Sequence, residues 1–216
     1  MNVSFSRIVD LSHEISPDMP IWQDDPKTEI TTSTHEKYTV EKVCIGTHTG
    51  THVGTPSHFG FDGSVENISV GELLVSCVVM EFSNPRRNFS FEESDVKKWE
   101  MENGPINVKA VILKTGQETF FNNRTKYFSN YPGFSLNAVR YLLKKGVRCF
   151  GTDAPGVDPW DDDDFLSNRE IFKNGGIHLE NLANLNELPL KRPFWIFIGA
   201  LKMKTGGSPA RIVAFV

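Results

Sequence analysis

His48-Thr-Gly-Thr-His52-Val-Gly54-Thr-Pro56-Ser-His58-Phe59 places three of the chain's six histidines on one short segment. His48 and His52 are four apart, a spacing that would align two imidazoles on a helix. The residues between them are Thr49, Gly50 and Thr51, which are poor helix formers. The segment therefore reads as the end of a strand running into a loop, with Gly50 permitting the tight fold that points both rings at one spot. Imidazole is the commonest metal ligand and a proton carrier near neutral pH, and chemistry gathers on loops held by a rigid scaffold. Three surface histidines that merely happen to be close is the plainer reading, but their clustering on a Gly, Thr and Pro-rich segment weighs against it.

The segment resembles the signature of the cyclase family, which includes kynurenine formamidase (arylformamidase) and isatin hydrolase. That signature reads His-x-Gly-Thr-His-x-Asp-x-Pro-x-His-Phe. Further segments match in the family's order: Met19-Pro20-Ile21-Trp22 with Asp25-Pro26, Tyr131 to Ser135, Gly151-Thr-Asp153, Val157-Asp158-Pro159, Gly176 to Leu182, and Gly207 to Arg211.

The resemblance implies that His48 and His52 bind one divalent metal, zinc or manganese, without an organic cofactor, and that His58 is the general acid/base. In the family the signature Asp bridges to a second metal, whose further ligands are a His and a Glu twelve residues apart. Here the bridging Asp is Gly54, and Glu180 is preceded twelve residues earlier by Asn168 rather than His. Two ligand positions are altered, which implies a weak or vacant metal site. Two counter-readings stand beside that one. His48, His52 and Glu180 would form a His2Glu set, a known catalytic zinc arrangement. His178 would share the Glu180 face if both lie on a strand. The resemblance also implies that Trp22 lines the substrate pocket, and Trp22 with Phe59 favours an aromatic substrate.

A length of 216 residues suits one domain spanning 1–216 with a sizeable core. The net charge of −4 argues against nucleic acid or an anionic membrane as partner and for a small molecule. Cys44, Cys77 and Cys149 are odd in number and scattered, and read as reduced core residues. The first residues lack the apolar run of a signal peptide, so the expected location is cytoplasmic.

Along the chain, Arg7 to Ser12, Glu29 to Ile45, Val75 to Glu81, Val108 to Lys114, Val147 to Gly151, Pro193 to Ile198 and Arg211 to Val216 read as strands. Ser90-x-x-Glu93 predicts a capping box opening a helix to about Glu102, and Ser135 predicts the start of another, stopped by Gly146. Residues 168–182 read as loop followed by the segment that carries Glu180. Arg86 and Arg87 read as solvated surface, as does the acidic run Asp161 to Asp164. Asp153 and Asp158 read as turn formers or as supports beside the site.

Strands outnumber helices, which gives an α+β class with mixed or antiparallel sheets. The family resemblance sharpens this to a swivelling β/β/α-like fold assembled as a homodimer or larger oligomer. The expected function is hydrolysis of an amide, formamide or lactam C–N bond in a small aromatic metabolite. The alternatives are a metal-independent cyclase or dehydratase, which the altered ligand positions favour, and a non-catalytic ligand-binding homologue.

Overall fold

The computed structural model describes residues 5–82 and 89–216; Arg86 and Arg87 lie outside the described residues. In chain order the strands are β1 (Ile8–Asp10), β2 (Glu29–Thr34), β3 (Thr39–Cys44), β4 (His52–Gly54), β5 (Leu74–Glu81), β6 (Ser90–Phe91), β7 (Ala110–Lys114), β8 (Gly133–Phe134), β9 (Cys149–Thr152), β10 (Ile177–Glu180), β11 (Phe194–Ala200) and β12 (Gly207–Phe215). The helices are α1 (Glu93–Asn103), α2 (Arg124–Tyr127), α3 (Leu136–Lys144) and α4 (Leu166–Lys173).

One eight-stranded sheet runs β1-β12-β11-β5-β7-β9-β10-β4, and β4 pairs again with the start of β12, so seven of its strands close into a ring. β5, β7, β9 and β10 are mutually parallel. β11, β12, β1 and β4 join antiparallel. This is the mixed-sheet α+β class expected from the strand-rich pattern.

β5 and β7 are buried on both faces, which is why they read as largely apolar runs, whereas β10 alternates Ile177 and Leu179 with His178 and Glu180. Val75, Cys77, Val79, Ala110, Ile112 and Cys149 pack with Ile196, Ile198, Ile212 and Ala214 in one core. The alternate residues Val78, Met80, Val111, Leu113 and Phe150 pack in a second core with Val96 of α1, Val139 and Leu142 of α3, and Ile171 of α4. Period-two alternation thus sends one residue set to each core. β2 and β3 form a separate hairpin whose residues are all exposed. No helix among the described residues is long and apolar enough to cross a membrane.

Ser135 caps α3 as expected, its side chain accepting from the Ala138 N–H at 3.2 Å. Three local expectations are corrected. Ser90 belongs to β6, and α1 is opened instead by Glu92, whose backbone N–H donates to Asp95 Oδ2 at 2.9 Å. Asn168 lies in α4 rather than in a loop. That helix begins after a left-handed Phe165 and is held at its first turn by Asp162 Oδ2, which accepts from the Leu166 N–H at 3.1 Å, so no conventional cap residue announces it. Cys77 and Cys149 are buried core thiols, but Cys44 is exposed at the end of β3, because both faces of the hairpin meet solvent.

Candidate active site

Val53 and Leu179 point into the first core, so the residues alternating with them on β4 and β10 face the other way. The two strands are antiparallel with Glu180 opposite His52 and His178 opposite Gly54. His52, His178 and Glu180 are therefore delivered to one patch by register alone, and all three are buried. Gly50 takes the expected left-handed turn at φ 65°, bringing His48 to the same patch. Its ring centroid lies 5.0 Å from that of His52 and 6.0 Å from that of His178. His58 arrives from the short 3-10 turn Pro56–Phe59 and stacks on His48 with centroids 3.7 Å apart.

Two glycines make room for these rings. A Cβ at Gly207 would lie 2.5 Å from His48 Cε1, and one at Gly206 would lie 2.9 Å from the His58 backbone. Both distances are closer than side-chain atoms pack, so the turn entering β12 has to be glycine for the imidazoles to sit where they do.

The proton positions follow from the hydrogen bonds. His52 Nδ1 lies 2.8 Å from the Gly50 carbonyl and so carries a proton. Its Nε2 has no hydrogen-bond partner and faces Glu180 Oε2 at 3.2 Å. A lone pair and a carboxylate at that separation repel unless a proton or a metal ion lies between them. Glu180 Oε1 accepts the Val157 N–H at 3.0 Å. Burial would raise the Glu180 carboxyl, but His178 and His52 beside it hold it at about 2. Burial lowers His178 to about 3, against the opposing pull of Glu180. It also lowers His48, helped by the neighbouring imidazoles, and lowers His58. His48, His58 and His178 are neutral imidazoles at neutral pH.

His48, His52 and His178 each offer a ring nitrogen within 4.8 Å of the others. Buried His52 Nε2, His178 Nε2 and His48 Nδ1 have no hydrogen-bond partner among the described residues. Three ring nitrogens converging in this way, with buried atoms left unpartnered on each imidazole, fit a divalent metal of the zinc type, which takes three histidines in some catalytic sites. The donor set differs from the sequence-based one: His178 joins His48 and His52, and Glu180 lies against His52 and His178 rather than replacing the third imidazole.

The patch floors a cavity of about 660 Å³ whose lining includes Trp22, Phe59, Tyr131 and Phe165. Trp22 is half-exposed and packs edge-on against Phe128 at 5.4 Å. Phe59 sits under the Arg169 guanidinium at 5.1 Å. All eight residues singled out from the sequence, Gly54 included, lie in or directly against this site, whereas Asp25, Tyr131, Phe165 and Arg169 were not singled out as cavity residues. Asp25 and Tyr131 lie in segments that match the family pattern, but no local signal aims them, or Phe165 and Arg169 at the start of α4, at a cavity, because they converge from three separate segments.

Asp153 is placed elsewhere. It accepts from the Thr115 and Gly116 N–H groups at 2.7 Å each and holds the loop after β7. His13 is a packed loop residue, stacked on Phe121 at 3.5 Å with its N–H donating to Thr51 Oγ1.

The Cyclase family model matches residues 9–159, well over half of the chain. The chain belongs to the Cyclase family. Among relatives in that family, isatin hydrolase from Roseibium aggregatum is 28% identical, the alignment covering 97% of this chain and 91% of that protein. Kynurenine formamidase from Bacillus thuringiensis is also 28% identical, covering 82% and 83% respectively. The Cyclase fold is shared with the structure of isatin hydrolase A from Labrenzia aggregata bound to benzyl benzoate. The TM-score is 0.89 and the identity 26%, over 97% of this chain and 93% of that one.

Proposed function

We propose that this Cyclase-family chain hydrolyses the C–N bond of an amide, formamide or lactam in a small aromatic molecule. The observation that carries this reading is the stack of His58 on His48, which sets an acid/base imidazole beside three converging ring nitrogens under an aromatic-lined cavity. Relatives named for isatin and for kynurenine formamide support the same bond type.

A divalent ion held by His48, His52 and His178 would polarise a carbonyl and make water ionise near neutral pH. The chain's own residues do the rest. Trp22, Phe59 and Tyr131 offer flat or edge contacts to an aromatic ring. His58, held below its ordinary value by desolvation, takes a proton from water at a ring nitrogen as the water oxygen adds to the carbonyl carbon. It returns that proton to the leaving nitrogen as the C–N bond breaks. Glu180, anionic and fixed by the Val157 N–H, sets a negative charge beside the imidazoles that would offset the charge of an ion held there.

The ring-closing alternative drew its support from missing ligands. His178 supplies a third nitrogen, and that favours hydrolysis. The test is elemental analysis of the purified chain, with assays on formylkynurenine and isatin before and after chelation. Chelator-sensitive ring opening or deformylation, restored by zinc or manganese, is the expected result. Bound metal with no C–N hydrolysis across a panel of aryl amides and lactams would refute the reading.

A further inference from the structure

Gly54 and Asn168, the two positions at which ligands were expected and not found, are both tied to His178. A Cβ on Gly54 would fall 1.9 Å from His178 Nε2 and within 2.6 Å of both neighbouring ring carbons. The imidazole therefore occupies the space that any side chain at position 54 would need.

Asn168 contacts the same ring from the other side. Its Nδ2 donates to Asp158 Oδ2 at 2.7 Å. The other Asp158 oxygen accepts the Ser167 N–H at 2.6 Å and the Asn168 N–H at 3.2 Å. Burial pushes Asp158 up to about 7, with the Asn168 and Ser167 N–H groups opposing it. Every one of these partners is an N–H, so an acid proton on Asp158 would have no acceptor, and the geometry is satisfied by the carboxylate. A carboxylate only accepts, so the amide NH2 of Asn168 must face Asp158 and its oxygen must face His178 Nδ1, 2.6 Å away. That oxygen also only accepts, which puts the His178 proton on Nδ1 and leaves Nε2 a bare lone pair, buried and without a partner.

Building on the hydrolase reading above, we propose that the chain binds a single divalent ion on the three imidazoles His48, His52 and His178. In this site His178 takes the space vacated at Gly54, and Asn168, oriented by Asp158, is a positioning residue that fixes the His178 tautomer. Both ends of the Asn168 amide are already engaged, so it is not a ligand for a second ion. The exchange also alters the chemistry of the set: a shared anion is replaced by a neutral nitrogen, leaving Glu180 as the carboxylate nearest the imidazoles.

The test uses the full chain and measures zinc stoichiometry, zinc affinity by competition with a chromophoric chelator, and the visible absorption of the cobalt(II)-loaded protein. The unsubstituted chain should bind one ion. Asn168→Leu should bind it roughly 10- to 100-fold more weakly, the usual cost of losing a partner that orients a ligand, and its cobalt spectrum should change. A paired exchange, Asp158→Asn with Asn168→Asp, keeps both hydrogen bonds with their polarity preserved toward His178 and should restore most of the affinity. This pair remains informative even if Asn168→Leu does not fold. Two ions per chain, unchanged affinity in folded Asn168→Leu, or a folded exchange pair that binds no better than Asn168→Leu would each overturn the proposal. Absence of any metal from the unsubstituted chain would overturn both this proposal and the hydrolase reading. The expected binding pattern without C–N hydrolysis would remove the hydrolase reading alone.

Discussion

His58 is the residue on which the proposed chemistry turns. It stacks on His48 without lying among the three converging nitrogens. His58→Ala should therefore lower kcat by about 10²- to 10⁴-fold, the usual worth of a positioned acid/base, while metal content and melting temperature hold; steady-state kinetics and elemental analysis decide it. His178 carries a second prediction. Its ordinary value of 6.5 falls to about 3 in the folded chain, so between those limits the unfolded chain binds a proton that the folded chain refuses. Stability then falls as pH drops from about 6.5 toward about 3. Glu180, held at about 2 against an ordinary 4.5, loses its contribution in the same direction at lower pH. Urea unfolding of the metal-free chain across that range should show a falling midpoint, and a flat profile would contradict it. At this scale His48, His52 and His58 were legible because one run of sequence holds them. The role of Asn168 was not legible, since an amide's orientation is fixed by Asp158, ten residues away, and by a ring on another strand.

The pairing of β4 with β10 fixes which side chains meet, and a one-residue slip would turn every one of them into the opposite core. Gly54→Ala keeps the register but drives a methyl group into the His178 ring. The variant should lose roughly 1–3 kcal/mol, the usual cost of overpacking, and zinc affinity should fall with it; thermal unfolding and chelator competition give the two readings. Gly71→Ala, where an added Cβ meets nothing within 4 Å and the backbone is not left-handed, controls for loss of glycine as such. Most strands could be read from the sequence because apolar alternation and Gly or Pro boundaries are local signals. α4 could not, because its first turn is closed by Asp162 rather than by the residue preceding it. The altered Gly54 had the appearance of a lost ligand until the strand opposite showed what fills its place.

Over the whole molecule, the exposed hairpin of β2 and β3 stands apart from the ring. It carries Ile30, Tyr38, Val40 and Val43 in solvent, each at least 41% exposed. We propose that it packs against a second copy of the chain, since a two-stranded ribbon alone is marginal in water. Sedimentation velocity should give a dimer or larger species, shifted toward monomer by Val40→Lys with Val43→Lys; a monomer at all concentrations would refute this.

The closed ring also bears on how the site comes apart. β4 is only three residues long, yet it is hydrogen-bonded to β10 along one side and to β12 along the other, so it has no free edge from which to fray. Its amides can exchange with solvent only when the ring opens, an event near global unfolding in cost. An ion at the proposed site would then leave through the cavity mouth rather than by detachment of β4. The cavity would set how fast a chelator strips the proposed site, and the closed ring holds His52 in place.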